Sequence, residues 1–290
     1  MSAPVPPAHE SIESELIDLP ATSQRGALSI EYRWLNAHLS DAPLAVFLHE
    51  GLGSIAMWKD WPQTLCDQLG MRGLVYSRPG YGRSTPRPHH LKLPVDFMST
   101  QASDVLPAML DSLGVDHAQR QRKMWLIGHS DGGSITLLYA CAFPQALAGA
   151  VVIAPHVFVE EIAVEGIAEM KRAYEQTDLR SKLARYHDDV DSAFYGWNDV
   201  WSSDAFRSWS IVDRLKAIGC PLLAVQGHDD HYGTMVQIDT IAEHVPQTQL
   251  TKLDRCGHSP HRDAPQALNA AIAAFVAQHG GPTNIDPVSA

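Results

Sequence analysis

Short apolar runs alternate with longer segments of helical period from residue 44 onward. An apolar run without polar interruptions is typical of a strand covered on both faces. The predicted strands are residues 44–48, 73–77, 124–127, 147–153, 221–226 and 249–253, and the predicted helices are residues 58–69, 95–113, 133–140, 236–244 and 264–278. This alternation predicts an α/β fold with parallel strand pairing and right-handed crossovers, and Pro107 predicts a kink in the second helix.

Two segments depart from the alternation. Residues 15–19 and 27–35 alternate between apolar and polar side chains, which is typical of strands at a sheet edge. Residues 156–210 are predicted to be a helical insertion, because they are charged, helical in period and rich in aromatic side chains. The remaining residues, 14–155 and 211–280, are predicted to form one core, and residues 1–13 and 284–290 are predicted to be flexible termini.

Composition narrows the functional classes. The chain has 290 residues, of which 45% are hydrophobic and 19% charged, as expected of a globular protein with a large core. Its net charge of −11 disfavours nucleic acid and anionic membranes as partners. There is no apolar run of about 18 residues and no basic leader before an apolar segment, so we expect a cytoplasmic protein. The four scattered cysteines are expected to be free thiols.

The most informative motif is Gly128-His129-Ser130-Asp131-Gly132, between a predicted buried strand and a predicted helix. A Gly-x-Ser-x-Gly sequence in this setting places the serine on a sharp, strained turn with its hydroxyl exposed. The chain passes so close to itself there that side chains on the two flanking glycines would collide. We therefore predict that Ser130 is a nucleophile, and the alternative is a glycine-rich turn with a capping serine.

A serine nucleophile needs a base within hydrogen-bond reach and a carboxylate that orients the base. The loops after the last two predicted strands contain both residue types, with Gly-His-Asp-Asp-His-Tyr-Gly at 227–233 and Asp-Arg-Cys-Gly-His-Ser-Pro-His at 254–261. Because the carboxyl ends of parallel strands share one edge of a sheet, both loops are expected beside Ser130. The chain order is then serine, aspartate, histidine.

This order, together with the glycine-flanked serine and the alternating strands and helices, resembles the α/β-hydrolase superfamily over nearly the whole chain, from about residue 14 to 280. The resemblance implies a mostly parallel, doubly wound sheet of about eight strands, with residues 156–210 as a helical cap after the sixth core strand. It maps the acid onto Asp230, with Asp229 as the competing neighbour, and the base onto His258. His231 and His261 are interpreted as polar loop residues near the site.

The negatively charged oxygen of the reaction intermediate needs two N–H donors. One is the amide of Asp131, at the start of the predicted helix. Superfamily members usually carry His-Gly-x-Pro or His-Gly-Gly after the third strand, where this chain has His-Glu-Gly-Leu-Gly at 49–53. Alignment of the histidines maps the second donor onto Gly51, with Leu52 as the nearby alternative.

Glu50 departs from the pattern of that loop. A carboxylate beside the oxyanion hole would oppose the developing negative charge, so we expect Glu50 to point away from the pocket, toward Arg78 or Arg83. His49 is expected to hold the loop through hydrogen bonds to the backbone.

These residues predict a serine hydrolase that cleaves a carboxylic ester, lactone or thioester of a small to medium, partly apolar substrate through an acyl-enzyme. The predicted pocket residues are Leu52, His129, Trp197 and Trp201. No metal or cofactor is expected, because the His-Asp-Asp-His sequence at 228–231 lies on a loop whose consecutive side chains rarely converge on one ion. Ser130 at the turn disfavours haloalkane and epoxide hydrolysis, which use a carboxylate nucleophile there.

Two alternatives remain open at the level of sequence. The first is a C–C bond hydrolase of the meta-cleavage type, which uses the same three side chains. The second is a non-catalytic ligand-binding protein, although a vestigial site would be expected to have lost at least one of them. The only expected partner is a small-molecule substrate, and the protein is expected to be a monomer or homodimer.

Overall fold

The computed structural model describes residues 13–23, 25–115, 120 and 123–281. Apart from residue 13, the segments predicted to be flexible termini lie outside the described residues. The described strands form one sheet with the order β1-β2-β4-β3-β5-β6-β7-β8. They are β1 (Glu15–Leu19), β2 (Leu28–Leu35), β3 (Leu44–Leu48), β4 (Arg72–Tyr76), β5 (Met124–His129), β6 (Gly149–Ile153), β7 (Leu222–Gly227) and β8 (Thr248–Leu253).

The strand pairing confirms the predicted fold class. β1 pairs antiparallel with β2, and β2 pairs antiparallel with β4. The pairs from β4 through β3, β5, β6 and β7 to β8 are all parallel. The result is a mostly parallel sheet with an antiparallel edge, and β5 lies near its centre.

Helices cover both faces of the sheet. Side chains alternate along β5, so that Met124 and Leu126 pack in one hydrophobic core while Trp125 and Ile127 pack in the other. The helices are α1 (Trp61–Leu69), α2 (Phe97–Thr100, Gln101–Val105 and Leu106–Ser112), α3 (Asp131–Ala142), α4 (Glu161–Gln176), α5 (Leu179–Leu183), α6 (Val190–Trp201), α7 (Val212–Leu215), α8 (Val236–His244), α9 (Pro260–Asp263) and α10 (Pro265–Gln278).

Two helices differ from their predicted form. α1 begins at Trp61 rather than at residue 58, because Lys59 has a left-handed φ of 55° that interrupts the helix after a short 3-10 turn. In α2 the kink takes the form of a π-helical turn over Gln101–Val105, just before Pro107. Pro107 has no N–H and its ring would clash with the carbonyl four residues earlier, which a wider turn relieves.

The chain between β6 and β7 contains α4, α5 and α6 in addition to α7. The two ends of this insertion lie side by side. Phe158 and Ser210 form an antiparallel bridge, and the amide of Ile211 donates to the carbonyl of Val157 at 2.8 Å. The insertion therefore leaves and re-enters the sheet layer at one place. Within the part of the chain that the structure describes, every helix is too short or too polar to span a bilayer.

Candidate active site

Ser130 occupies a strained turn between β5 and α3. Its backbone has φ 53° and ψ −119°, a conformation that non-glycine residues rarely adopt. A Cβ on Gly128 would lie 2.1 Å from the carbonyl oxygen of Gly132, and a Cβ on Gly132 would lie 2.0 Å from that of Leu48. Both glycines are therefore required by the close approach of backbone segments that the sequence motif predicts.

Three side chains far apart in sequence form a continuous hydrogen-bonded chain. The Oγ of Ser130 lies 2.9 Å from the Nε2 of His258. On the other side of the ring, the Nδ1 of His258 lies 2.9 and 2.8 Å from the two carboxylate oxygens of Asp230. Asp229, the competing neighbour, is exposed, whereas Asp230 is buried. The structure thus brings together the three residues predicted from the sequence.

Asp230 is fixed by its own loop. Its carboxylate accepts hydrogen bonds from the Gln226 side chain at 2.6 Å and from the Tyr232 amide at 2.7 Å. Burial alone would raise the pKa of Asp230, but the hydrogen bond with His258, the charge of that ring and the Tyr232 amide outweigh it and lower the pKa. Asp230 is therefore an ionised, oriented acceptor for the Nδ1–H of His258.

The two predicted oxyanion donors both line the cavity beside Ser130. Asp131 is the first residue of α3, where a helix leaves its N–H groups without an intrahelical acceptor. Gly51 and its alternative Leu52 lie on the loop after β3 and also line that cavity. The structure locates both segments as expected, while their role as donors stays a prediction.

His49 holds the loop after β3, in agreement with the sequence-based expectation. The amide of Arg78 donates to its Nε2 at 2.9 Å, so the other nitrogen, Nδ1, carries the hydrogen and donates to the carbonyl of Glu50 at 2.7 Å. Burial lowers the pKa of His49 well below its ordinary value, and the charge of Arg78 lowers it further. A neutral ring is required for this arrangement, because Nε2 must accept.

The partners predicted for Glu50 are wrong. Its carboxylate lies 3.6 Å from the Nδ1 of His129 and 3.8 Å from the guanidinium of Arg262, not against Arg78 or Arg83, and Glu50 lines the cavity. Only its backbone carbonyl contacts Arg78. Burial alone would raise the pKa of Glu50, but the neighbouring His129 ring holds it well below its usual range. Glu50 is therefore an ionised carboxylate next to His129.

His129 is not a pocket residue, which corrects its predicted place. It continues the face of β5 that carries Trp125 and Ile127, so its ring is buried between Trp58 and His261, at 6.1 and 4.9 Å between ring centroids. Its Nε2 lies 2.6 Å from the carbonyl oxygen of His258. His129 therefore supports the loop that carries His258 instead of contacting a substrate.

The remaining predicted pocket residues do line the cavity, which has a volume of about 240 Å³. Leu52 comes from the loop after β3, and Trp197 and Trp201 lie one turn apart on α6. The sequence analysis missed three residues of α4 that form a further apolar part of the cavity wall, Ala163, Ile167 and Met170. Their spacing of four and three residues marks one apolar face of a helix, but the spacing alone does not identify what that face covers.

Trp201 also connects α6 to the turn that carries the serine. Its indole N–H donates to a carboxylate oxygen of Asp131 at 3.1 Å, and the second carboxylate oxygen lies 3.6 Å from the guanidinium of Arg78. Burial raises the pKa of Asp131, while the charge of Arg78 and the bond from Trp201 oppose that rise. The residue after Ser130 is thus anchored from two directions.

Comparisons with known proteins agree with this fold. A family model described as the alpha/beta hydrolase family matches residues 45–271. The chain is 26% identical over 187 residues to the serine hydrolase BPHL of Homo sapiens, a match that covers 63% of this chain and 61% of that protein. It is 25% identical over 256 residues to 2-succinyl-6-hydroxy-2,4-cyclohexadiene-1-carboxylate synthase of Enterobacter sp. (strain 638), covering 80% of this chain and 90% of that protein.

A structure from work on carboxylesterases of Nitrososphaera gargenis superposes with a TM-score of 0.69 at 19% identity, covering 91% of this chain and 98% of that chain. At this level of identity the superposition shows a shared fold and nothing about substrate. The family match, by contrast, runs from β3 into α10 and includes the loops that carry Ser130, Asp230 and His258. The chain belongs to the alpha/beta hydrolase family.

Proposed function

We propose that this protein is a serine hydrolase that cleaves a carboxylic ester, with lactones and thioesters included, of a small to medium, partly apolar substrate. The observation that carries the proposal is the hydrogen-bonded chain from Ser130 through His258 to Asp230, with 2.9 Å between the serine oxygen and the imidazole nitrogen. A base at that distance removes the proton as the hydroxyl attacks a carbonyl carbon.

In the first half of the proposed reaction, the Oγ of Ser130 forms a bond to the carbonyl carbon and His258 takes its proton. The carbonyl oxygen becomes an oxyanion, which the amides of Gly51 and Asp131 stabilise. Collapse of this intermediate breaks the bond to the alcohol, and His258 donates the proton to that leaving group. In the second half, His258 removes a proton from water as the water oxygen attacks the acyl carbon. The bond between that carbon and the Oγ of Ser130 then breaks, His258 returns the proton to Ser130, and the acid is released.

We propose that residues 156–210 act as a cap that determines substrate choice. Two observations support this role: the insertion is closed at its base by the bridge at Phe158 and Ser210, and its helices α4 and α6 supply apolar walls of the cavity. A cavity of about 150 Å³ accommodates benzene, so 240 Å³ suits a group of roughly ten non-hydrogen atoms. The substrate part next to Ser130 is then a short acyl or small aromatic group.

The test begins with a fluorophosphonate probe, which phosphonylates an activated serine. The wild-type protein is expected to be labelled at Ser130, and Ser130→Ala is expected to remain unlabelled with its fold intact. Ser103→Ala is the matched control, because Ser103 is an exposed serine on α2 whose hydroxyl donates to the carbonyl of Ser99. Folded wild-type protein that is not labelled would leave only a ligand-binding role.

Substrate class is tested with p-nitrophenyl esters of increasing acyl length, run beside a dienoate ring-cleavage product. Hydrolysis of the short esters with kcat lost in Ser130→Ala supports the proposal. Turnover of the dienoate without turnover of any ester would replace it with the C–C bond hydrolase alternative.

A further inference from the structure

Arg78 is the second residue after the end of β4. Its side chain is charged but only 1% exposed. A buried cation is costly unless its donors are satisfied. Its guanidinium lies over the ring of Tyr81, donates to the backbone carbonyl of Glu50 at 2.7 Å, and lies 3.6 Å from the carboxylate of Asp131. One buried guanidinium therefore contacts both segments that carry the predicted oxyanion donors.

The contact with Glu50 determines which way the next amide points. The Glu50 carbonyl accepts from three donors, the Arg78 guanidinium at 2.7 Å, the His49 ring at 2.7 Å and the Gly53 amide at 3.1 Å. A trans peptide is planar, with its C=O and N–H directed to opposite sides. Because the carbonyl is held toward Arg78 and His49, the N–H of Gly51 is directed away from both. Gly51 also lines the cavity beside Ser130.

Arg78 is tied to this loop a second time through its backbone. Its amide donates to the Nε2 of His49 at 2.9 Å, and the Nδ1–H of the same ring donates to the Glu50 carbonyl. The three bonds among Arg78, His49 and Glu50 form a closed ring. Rotation of the peptide between Glu50 and Gly51 would break two of these bonds at once, so the peptide orientation is fixed before any substrate arrives.

The other half of the oxyanion hole is held by the carboxylate of Asp131. Its two oxygens face the guanidinium of Arg78 and the indole N–H of Trp201. The positive charge of Arg78 also offsets the negative charge of Asp131. Without Arg78, the Asp131 carboxylate would destabilise negative charge on the substrate oxygen. The same side chain thus positions one donor segment and offsets a charge beside the other.

We propose that Arg78 is the positioning residue of the oxyanion hole, joining the loop after β3 to the start of α3 so that both amides are oriented in advance. This inference rests on the proposed function, since it assigns a role within the same site. It predicts that loss of Arg78 weakens binding of the transition state and leaves binding of the ground state almost unchanged.

The experiment compares Arg78→Met, which removes the donors and the charge, with Arg78→Lys, which keeps the charge and one donor group. The matched control is Arg120→Met, because Arg120 is also a buried arginine in an ion pair, with Asp111, away from the site. For the wild type and each variant we would measure kcat and KM on a p-nitrophenyl ester, inhibition by a trifluoromethyl ketone, inhibition by the product acid, and thermal stability.

A trifluoromethyl ketone probes the oxyanion hole directly. The Oγ of Ser130 adds to its carbonyl carbon, the proton passes to His258, and the former carbonyl oxygen becomes an oxyanion. Arg78→Met is expected to lower kcat by about 10²-fold and to weaken inhibition by the ketone by a similar factor. This is the effect of losing one oxyanion donor. KM and product affinity are expected to stay near wild type, and Arg78→Lys is expected to recover part of kcat.

The inference is overturned if Arg78→Met lowers kcat no more than Arg120→Met does, or if kcat falls while ketone affinity is unchanged. If Arg78→Met does not fold, the same comparison is made with Arg78→Lys. In that case, the inference is overturned if kcat and ketone affinity are both equal to those of the wild type. A wild-type protein with neither esterase activity nor fluorophosphonate labelling overturns the proposed function and this inference together. The failure of the inference alone leaves wild-type activity in place.

Discussion

The Nε2 of His258 lies 2.9 Å from the Oγ of Ser130, although 128 positions separate the two residues in the chain. Ser130 follows β5 and His258 follows β8, and both strands end at the same edge of the sheet. The contact depends on the orientation of the ring, which Asp230 fixes through the opposite nitrogen.

Asp230→Asn is expected to lower kcat by roughly 10³–10⁴-fold with little change in KM. An amide NH₂ facing Nδ1 favours the ring tautomer that carries its hydrogen on Nε2, and that nitrogen then has no lone pair for the Ser130 proton. Ester hydrolysis at neutral pH measures the effect. The control is Asp229→Asn, since Asp229 is exposed, and equal losses in the two variants would contradict the assignment of the acid.

Gly128→Ala and Gly132→Ala are each expected to destabilise the protein by about 1–3 kcal/mol or more, because the added methyl would overlap backbone atoms that cannot shift independently. The added Cβ would lie 2.1 and 2.0 Å, respectively, from a carbonyl oxygen. Chemical denaturation measures the free energy of unfolding. Gly26→Ala is the control, since a Cβ there meets nothing within 4 Å. A stable, active Gly132→Ala variant would contradict the proposed close approach.

The free energy of unfolding is expected to fall as the pH is lowered from 6.5 toward 4, in part because of His187. Burial lowers the pKa of His187 from 6.5 to about 4, against opposing effects of the Leu52 carbonyl and the carboxylates of Glu50 and Glu31. In this window the unfolded chain binds a proton on that ring and the folded protein does not, so acid favours unfolding.

His187→Gln is expected to reduce that pH-dependent loss of stability by roughly 3 kcal/mol, because the pKa of this ring falls from 6.5 to about 4 on folding. The glutamine amide can still donate to the Leu52 carbonyl and accept from the Gly82 amide, as the imidazole does. Denaturant titrations at a series of pH values measure the slope. His90→Gln, at an exposed position, is expected to leave the slope unchanged. An unchanged slope in His187→Gln would contradict the prediction.

Trp197→Ala is expected to shift the preference among p-nitrophenyl esters toward longer acyl chains. The Trp197 ring packs directly on Gly51, where a Cβ would lie 2.2 Å from the indole nitrogen, and it forms one wall of the cavity. Each additional buried methylene contributes about 0.8 kcal/mol, or about fourfold in kcat/KM. Trp34→Ala is the control, because the Trp34 ring packs against Arg72 of β4. An unchanged preference would exclude Trp197 from substrate contact.

Much of the arrangement follows from local sequence. The apolar runs that become β3 through β7 have side chains buried on both faces. The helices between successive strands favour parallel pairing. The Ser130 turn is recognisable from sequence because its two flanking glycines lack the Cβ atoms that would collide with nearby backbone. The positions of Asp230 and His258 follow from the strands that precede them, since each residue lies on a loop at the same sheet edge.

The side-chain partners of several site residues depended on contacts between segments that are distant in sequence. Glu50 was expected to point toward Arg78 or Arg83, but its carboxylate faces His129 and Arg262 instead. His129 was predicted to line the pocket beside Ser130, whereas strand alternation turns it to the opposite face of the sheet. The apolar wall from α4 required knowledge of where the insertion folds back.

The sequence alone determined the fold class, the strained turn and the residue types of the predicted triad, because these depend on backbone sterics and on the order of strands along the chain. Only the tertiary structure decided the partners of Glu50, His129 and Arg78. Those partners come from loops distant in sequence, and a buried charge pairs with whatever group folding brings within a few ångströms of it.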